Sequence, residues 1–482
     1  MSSKVCRHLH NVVNNAPELR YIIELFSEGF TRRRMAHSGL EKANYHHHTR
    51  NSCPPERKRH IYFSNYAARS TAASGGAKSS ALPSITRDRV ERFSFPEHAR
   101  RRSRLHYAFD VPQDLLVLGY KSVNPNGAHK YYLRLLTLSS MGSSPHPVAS
   151  QEILQLSYDT PFMIDETQLR VAGSLLAVGL LHPMIRSQIV VWNWRTGDQL
   201  MDIGRVRVNR VRLQDFCFLS ESRIMFLCTT PSMIFLEIWS IDPDSPVVNN
   251  GRTLLRLSLP DLGSINFHNY CITYGPFQSD IPQNAPFVKR PGGCVYAIIL
   301  FHLPPRPFSP ALLFVVHHDK ITALLQTSEN VAVAIPWDDW GPRSTRMFSG
   351  NFTSHHWAPV HSGWVYHERL LGSFMTSYQE DLRTESEKIF DFNIRPYVRQ
   401  LAAEAEVERR GELVVAPTTS HVRVDETGRT VTVTTSLPFY SFPLEVPGTD
   451  QRCNFMLDEN HLLGILSDGP ERPWDLDIFF FD

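Results

Sequence analysis

The sequence predicts a mainly β fold made of many short strands, preceded by a short αα-hairpin. Short apolar runs recur from residue 86 onward and are separated by turn residues such as Pro, Gly, Asn and Asp. Proline (33 residues) outnumbers glycine (25 residues), a balance that favours short strands and turns over long helices. Helical periodicity in this region is confined to residues 398–407, so a regular alternation of strands and helices is not expected.

One stretch, residues 187–200 (SQIVVWNWRTGDQL), shows the pattern most clearly. Its strand is apolar on both faces, with Val190, Trp192 and Trp194 on one face and Ile189 and Val191 on the other. A strand of this kind lies between two layers rather than on a surface. Residues 195–198 supply a turn, in which Gly197 is free to take the positive φ of a tight hairpin.

Similar strands recur along the chain at a spacing typical of a repeat. They are predicted at residues 115–118, 131–138, 169–173, 175–181, 189–194, 214–219, 224–228, 235–241, 295–303, 311–317, 321–325, 331–335, 364–370, 431–435, 462–466 and 478–481. From Ile189 to Phe235 is 46 residues, and a four-stranded propeller blade takes roughly 40–45 residues. The sequence therefore predicts an irregular β-propeller of six or seven blades, whose circular closure would bury the strand edges. Long insertions are expected at 261–293 and 336–362.

Charge and apolar content together divide the chain into three parts: residues 1–30, residues 31–85 and residues 86–482. Between Thr31 and His106 there are 17 Lys and Arg residues against 5 Asp and Glu residues, whereas the rest of the chain is acidic overall. Residues 31–85 have little periodic apolar content and are predicted to be a basic, mostly disordered linker. Their basic clusters could instead contact phosphates, and His46, His47, His48, Cys53 and His60 could bind a metal adventitiously.

The remaining composition favours an intracellular protein. Seven scattered cysteines suit a reducing compartment, and the first residues lack the apolar core of a secretory signal. No apolar run is long enough to span a membrane, so no membrane partner is expected.

No constellation of residues predicts catalysis, so the chain is not expected to be an enzyme or to hold a metal or a cofactor. The phosphate-loop, dinucleotide, nucleophile-elbow and zinc-protease motifs are missing from the sequence. Several chemically suggestive residues are more simply explained as turns, loops or core thiols. These residues are His317-His318-Asp319, Asp338-Asp339, His355, His356, His361, Cys217 and Cys228.

The first thirty residues have the apolar spacing of two helices. Val5, Leu9, Val12 and Val13 share one helical face, and Leu19, Ile22, Ile23 and Phe26 repeat the spacing after Pro17. From the residues alone, this is an αα-hairpin that packs on a larger body.

The same stretch, VCRHLHNVVNNAPELRYIIEL, resembles the final part of an F-box as found in basidiomycete fungal F-box proteins. The half of that motif with the Leu-Pro-x-Glu start would precede Met1, so the chain is expected to hold the C-terminal half only. The resemblance implies contacts with the Skp adaptor of a cullin ubiquitin ligase. It assigns them to Val5, Cys6, Leu9, Leu19 and Ile22.

The body resembles the same family in five segments. They are DVPQDLLVLGY (110–120), VVWNWRTG (190–197), IFDFNIRP (389–396), TTSLPFY (434–440) and FMLDENHLLGIL (455–466). The family's body is regarded as propeller-like, and Trp192-Asn193 stands where a WD repeat has Trp-Asp. The fold that the resemblance implies is a WD-like propeller over residues 86–482.

The function implied is a protein-interaction module that serves as substrate receptor of a Skp–cullin–F-box ubiquitin ligase. The adaptor and cullin would be its partners, and loops at 261–293 and 336–362 would bind an unknown protein target. One alternative is a propeller scaffold that works without the adaptor. Another is a propeller that associates with nucleic acid through residues 32–34, 57–59 and 100–104, although nucleic acid is not the expected partner.

Overall fold

The computed structural model describes residues 106–480, with gaps at 124–128, 141, 159–165, 182–186, 205–210, 246–247, 249–250, 263–266, 276–286, 290–291, 303–310, 328–332, 351–363, 373–387, 404–410, 424–428, 445–452, 458–460 and 467–474. Before residue 106 it describes three short strands: β1 (Phe30–Arg32), β2 (Ile61–Tyr62) and β3 (Ser80–Ala81). Apart from Phe30, the predicted αα-hairpin of residues 1–30 lies outside the described residues, as does most of the predicted linker.

Two four-stranded antiparallel sheets come first, each made of consecutive strands. The first contains β4 (His106–Asp110), β5 (Leu115–Val123), β6 (His129–Thr137) and β7 (Ile153–Tyr158). The second contains β8 (Glu166–Ala172), β9 (Leu175–Leu181), β10 (Gln188–Asn193) and β11 (Gln199–Ile203). The predicted hairpin strand is thus the third of four, and Gly197 has a φ of 84° in the turn that follows it.

Two more sheets each have four antiparallel main strands, but other elements join them or interrupt them. The third sheet contains β12 (Arg212–Ser220), β13 (Arg223–Thr229), β14 (Ile234–Ser240) and β15 (Arg252–Ser258). The fourth contains β16 (Phe267–Tyr274), β18 (Val295–His302), β19 (Ala311–His317) and β21 (Thr345–Gly350), and β17 (Phe287–Lys289) pairs with β1. Between β19 and β21 lie helix α1 (His318–Gln326), β20 (Val333–Ile335) and helix α2 (Trp337–Ser344). Strand β20 crosses to the third sheet and pairs parallel with β15.

The C-terminal part contains a five-stranded and a three-stranded sheet. The fifth sheet contains β22 (Val365–Tyr366), β23 (Arg369–Gly372), β24 (Lys388–Asp391), β25 (Glu412–Val414) and β28 (Phe439–Pro443). Helix α3 (Arg395–Ala403) and a hairpin of β26 (Thr418–Arg423) and β27 (Thr430–Thr435) are inserted in it. The last sheet contains β29 (Cys453–Leu457), β30 (His461–Leu466) and β31 (Asp475–Phe480).

The first strands of successive sheets are neighbours in space. Strand β4 contacts β8, β8 contacts β12, β12 contacts β16, β16 contacts β22, and β22 contacts β29. Because each sheet begins beside the start of the previous one, the sheets follow one another around a common line of first strands.

Apolar cores fill the spaces between neighbouring sheets, so most strands are buried on both faces. In β10, Val190 and Trp192 belong to the core shared with the first sheet, whereas Ile189 and Val191 belong to the core shared with the third. The division predicted for this strand is therefore confirmed. Strand β13 of the third sheet is likewise buried on both faces. Its residues 224, 226 and 228 lie in the core shared with the second sheet, and residues 225 and 227 lie in the core shared with the fourth.

The prediction of a mainly β fold is confirmed, with differences in three places. Residues 321–325, predicted as a strand, lie in α1, because Ile321 and Leu325 are one helical turn apart and share its buried face. Residues 364–370, also predicted as one strand, form the β22–β23 hairpin, in which His367 takes a φ of 51°. The helical periodicity at 398–407 corresponds to α3, which begins three residues earlier.

The two predicted surface loops were wrong where the structure describes strands or a helix in them. The range 261–293 contains β16, and the range 336–362 contains α2 and β21. Cys271 and Ile272 of β16 are buried in two different cores, as are Met347 and Phe348 of β21. These segments were misread because their strands carry polar residues such as Asn269 and Arg346, which hide the apolar alternation.

Within the described residues, no helix is long and apolar enough to cross a membrane.

The turn at Gly197 provides a first test of the fold. Replacing Gly197 with Ala should lower the free energy of unfolding by about 1–2 kcal/mol, because a Cβ is disfavoured in the left-handed region. Replacing it with Asn should cost less, since Asn tolerates that conformation. Chemical denaturation of the two variants checks this. Equal losses for Ala and Asn would contradict the backbone explanation.

Candidate functional site

A buried ion pair lies where the first strands of three sheets meet. Arg170 projects from β8, and its Nη2 atom lies 3.1 Å from Oδ1 of Asp215 on β12. The Asp215 side chain has no solvent exposure and the Arg170 side chain has 11%. An ion pair removed from water in this way needs further hydrogen bonds to offset its desolvation.

Those hydrogen bonds come mainly from the backbone. Asp215 accepts from the N–H groups of Phe216 (2.6 Å) and Ile272 (2.7 Å). Arg170 donates to the carbonyl of Ile272 at 3.1 Å and to Oε1 of Gln168 at 2.8 Å. Since Ile272 belongs to β16, this one pair ties together the second, third and fourth sheets.

Aromatic rings enclose the guanidinium and complete its environment. The Arg170 Cζ atom lies 5.3 Å from the centre of the Phe216 ring and 4.9 Å from that of the Tyr274 ring. Burial raises the pKa of the Asp215 carboxyl, while Arg170 and the two backbone N–H groups act in the opposite direction. Burial lowers the pKa of Arg170, but the attractions of Asp215, Tyr274 and Cys217 together outweigh it and the pKa is raised. The geometry is that of a structural ion pair.

A second group of polar side chains lies near this pair and contains a thiol, a phenol and an imidazole. The Tyr296 hydroxyl is 2.9 Å from Nδ1 of His318 and 3.8 Å from the Cys294 Sγ atom. Burial raises the pKa of Cys294 to about 12. A nucleophilic cysteine needs a lowered pKa, so this thiol is poorly suited to covalent catalysis.

Alkylation rates test that conclusion. A variant that keeps Cys294 as its one cysteine should react with iodoacetamide at pH 8 about 30-fold or more slowly than a free thiol. The thiol should react at the normal rate in denaturant, which serves as the control. Fast labelling of the folded protein at Cys294 would show an activated thiol and contradict the structural role.

Two further contacts to carboxylates connect neighbouring elements of the fourth and fifth sheets. His317 Nε2 lies 2.6 Å from Oε1 of Glu368, and its Nδ1 accepts from the Asp319 N–H at the start of α1. Asp391, also buried, accepts from Arg369 Nε at 3.0 Å and from the Tyr397 hydroxyl at 2.9 Å. Each of these groups links separate elements, as the Arg170–Asp215 pair does.

The structure places the predicted candidates as follows. His317 caps α1, and Asp338 and Asp339 are exposed in the first turn of α2. Cys217 and Cys228 are fully buried in apolar cores, as predicted. The described part of the chain holds no cluster of three or more His, Cys, Asp and Glu residues that could bind a metal.

Other predicted residues lie outside the described residues. They are Val5, Cys6, Leu9, Leu19, Ile22, His46, His47, His48, Cys53, His60, His355, His356 and His361.

Sequence reasoning missed the Arg170–Asp215 pair. The signal was present, since Arg170 stands between Leu169 and Val171 and Asp215 directly precedes the apolar run 216–219. A buried charge of this kind requires a partner. The partners, however, are 45 residues apart in the chain, and their pairing depends on how the sheets stack.

No protein-family model matches the chain, and no curated protein matches it. Among solved structures, it is similar to a puromycin-hydrolysing peptidase from Mycobacterium tuberculosis, with a TM-score of 0.29 and 13% sequence identity. The match covers 79% of this chain and 51% of that one, so the chain spans about half the length of the peptidase. At this TM-score the likeness carries no argument about fold or activity.

Proposed function

We propose that this chain is a protein-interaction module, a propeller-like body of six blades that serves as substrate receptor of a Skp–cullin ubiquitin ligase. The chemistry of ubiquitin transfer belongs to the ligase, and this chain selects the target. The observation that carries the proposal for the body is the succession of contacts between the first strands of neighbouring sheets. Such an order is what a propeller with radially arranged blades requires.

The buried charged side chains bind one another and backbone groups, which supports a binding role for the body rather than a catalytic one. Arg170 and Asp215 bind each other and backbone groups, and Asp391 is held by Arg369 and Tyr397. These contacts make the body a rigid support. Rigid supports commonly carry recognition on the segments that join their strands.

The N-terminal segment supplies the ligase part of the proposal. Its resemblance to the end of an F-box assigns adaptor contacts to Val5, Cys6, Leu9, Leu19 and Ile22. Apolar residues on one helical face are suited to docking in a groove of a partner.

Calorimetric titration of the natural full-length gene product with the Skp adaptor tests the proposal. A saturable one-to-one complex is expected, and a variant with Leu9, Leu19 and Ile22 replaced by Asp should abolish it. Replacing Val415 with Asp is the matched control, since this side chain is 58% exposed on the body. No heat of binding with the natural full-length gene product would contradict the receptor function.

A further inference from the structure

One end of the first sheet, called the docking corner below, exposes an unusual share of apolar surface. It contains the β4–β5 turn, the β6–β7 connection and the start of β7. Of the eight large apolar side chains exposed in the described part, three lie there: Val111 (42%), Val148 (56%) and Ile153 (42%). Single exposed apolar residues are common, whereas a group of them marks an interaction site.

The backbone under this corner is held in one conformation. The turn at 111–114 is closed by a hydrogen bond from the Asp114 N–H to the Val111 carbonyl at 3.1 Å. His146 accepts from the Val148 N–H through Nδ1 at 3.3 Å, so its Nε2 carries the proton and donates to the Gln113 carbonyl at 2.9 Å. Val111 and Val148 therefore flank one hydrogen bond, and little conformational freedom would be lost on binding.

A fixed positive charge lies beside the apolar group. Arg195 is exposed in the β10–β11 turn, with its Cζ atom 5.5 Å from the Trp194 ring centre and its Nη2 donating to Gln113 Oε1 at 2.6 Å. Its carbonyl accepts from the Ser150 N–H, just before β7. A guanidinium positioned in this way is suited to a carboxylate.

The neighbouring strand offers a backbone edge. Among the described strands, β7 pairs with β6 and lies at the end of its sheet. Leu154 and Leu156 are buried, whereas Ile153 and Gln155 are exposed on the other face. The strand has neither proline nor lysine, the residues that usually protect an edge from pairing.

We infer that this corner binds an extended segment of the target protein, which adds a strand to β7. The segment places apolar side chains on Val148 and Ile153 and an acidic side chain on Arg195. The main-chain hydrogen bonds of strand addition supply affinity, while alternate side chains supply specificity. The inference rests on the proposed function and names the target site within it.

A displayed library of random 12-residue peptides, selected on the full chain, tests the inference. Enriched peptides should alternate apolar residues and contain an acidic residue at a fixed position. Replacing Val148 or Ile153 with Glu should weaken a selected synthetic peptide about tenfold or more. Replacing Met233, which is 45% exposed at a different turn, with Glu should leave the affinity unchanged.

The charge preference has its own control on the same turn. Arg195→Glu should remove the selection for acidic residues, whereas Asp198→Lys should not affect it. Enrichment of basic peptides that depend on Asp198, or binding that is insensitive to substitutions at Val148 and Ile153, would overturn the inference. Binding of the Skp adaptor is measured separately, so a failure here is distinct from a failure of the receptor function.

Discussion

Replacing Asp215 with Asn is expected to lower the free energy of unfolding by about 3–5 kcal/mol, the cost of breaking a buried ion pair on one side. The substitution leaves Arg170 charged and enclosed between two aromatic rings, with its counter-ion removed. It also places an amide NH₂ group or a weaker acceptor opposite the N–H groups of Phe216 and Ile272. Because the pair joins three sheets, the loss should appear as a single cooperative shift of the denaturation curve.

A double-mutant cycle separates the pair from its surroundings. The double variant Arg170→Met, Asp215→Leu should lose less unfolding free energy than the two single variants lose together. In the double variant no unpaired charge is left buried. The more exposed Arg134–Glu152 pair, with side-chain exposures of 28% and 38%, is the matched control. Glu152→Gln should cost less than about 1 kcal/mol. A similarly small loss for Asp215→Asn would contradict the structural role of the pair.

Replacing Arg346 with Met is expected to cost about 3 kcal/mol, since buried acceptors would lose their donor. The Arg346 residue is fully buried on β21. It donates to the Leu437 carbonyl at 2.7 Å, to the Ala416 carbonyl at 3.2 Å and to Thr418 Oγ1 at 2.9 Å. These contacts hold the segment between β25 and β28 against the fourth sheet. The loss should therefore include the packing of the β26–β27 hairpin.

The unfolding free energy lost in Arg346→Met depends on pH only where Arg346 titrates. Burial lowers the pKa of Arg346 to about 10, below the value of the unfolded chain. The cost of burying the charge is fully present below the folded pKa and disappears as the pH rises toward the unfolded value. The difference between wild type and Arg346→Met should thus be equal at pH 6 and pH 8. A difference that changed between these two values would show that another group titrates with Arg346.

Local pattern was enough to predict many of the strands, although not β16 or β21, and it did not predict the contacts between sheets. Strand β10 was recognisable because both of its faces are apolar, and Gly197 marked its turn. Helix α1 was missed because Ile321 and Leu325 fit a strand as well as a helix when the capping contact from His317 is unknown. The cap itself depends on strand β19 ending at that residue.

The candidate site was even less accessible from sequence. The His317–Glu368 pair spans 51 residues and joins two sheets, so no local spacing indicates it. The docking corner combines residues from the turns after β4, β6 and β10. Arg195 joins the apolar residues only when the first two sheets pack together, and each valine alone is an ordinary surface residue.

Co-purification of the natural full-length gene product from its own cells tests the central claim most directly. The preparation should be probed for the Skp adaptor and for cullin, with the Leu9, Leu19 and Ile22 variant in parallel. The receptor function predicts that both proteins are recovered with the wild type and lost with the variant. Recovery of neither protein with the wild type would contradict it, and the body would then be a scaffold that works without the ligase.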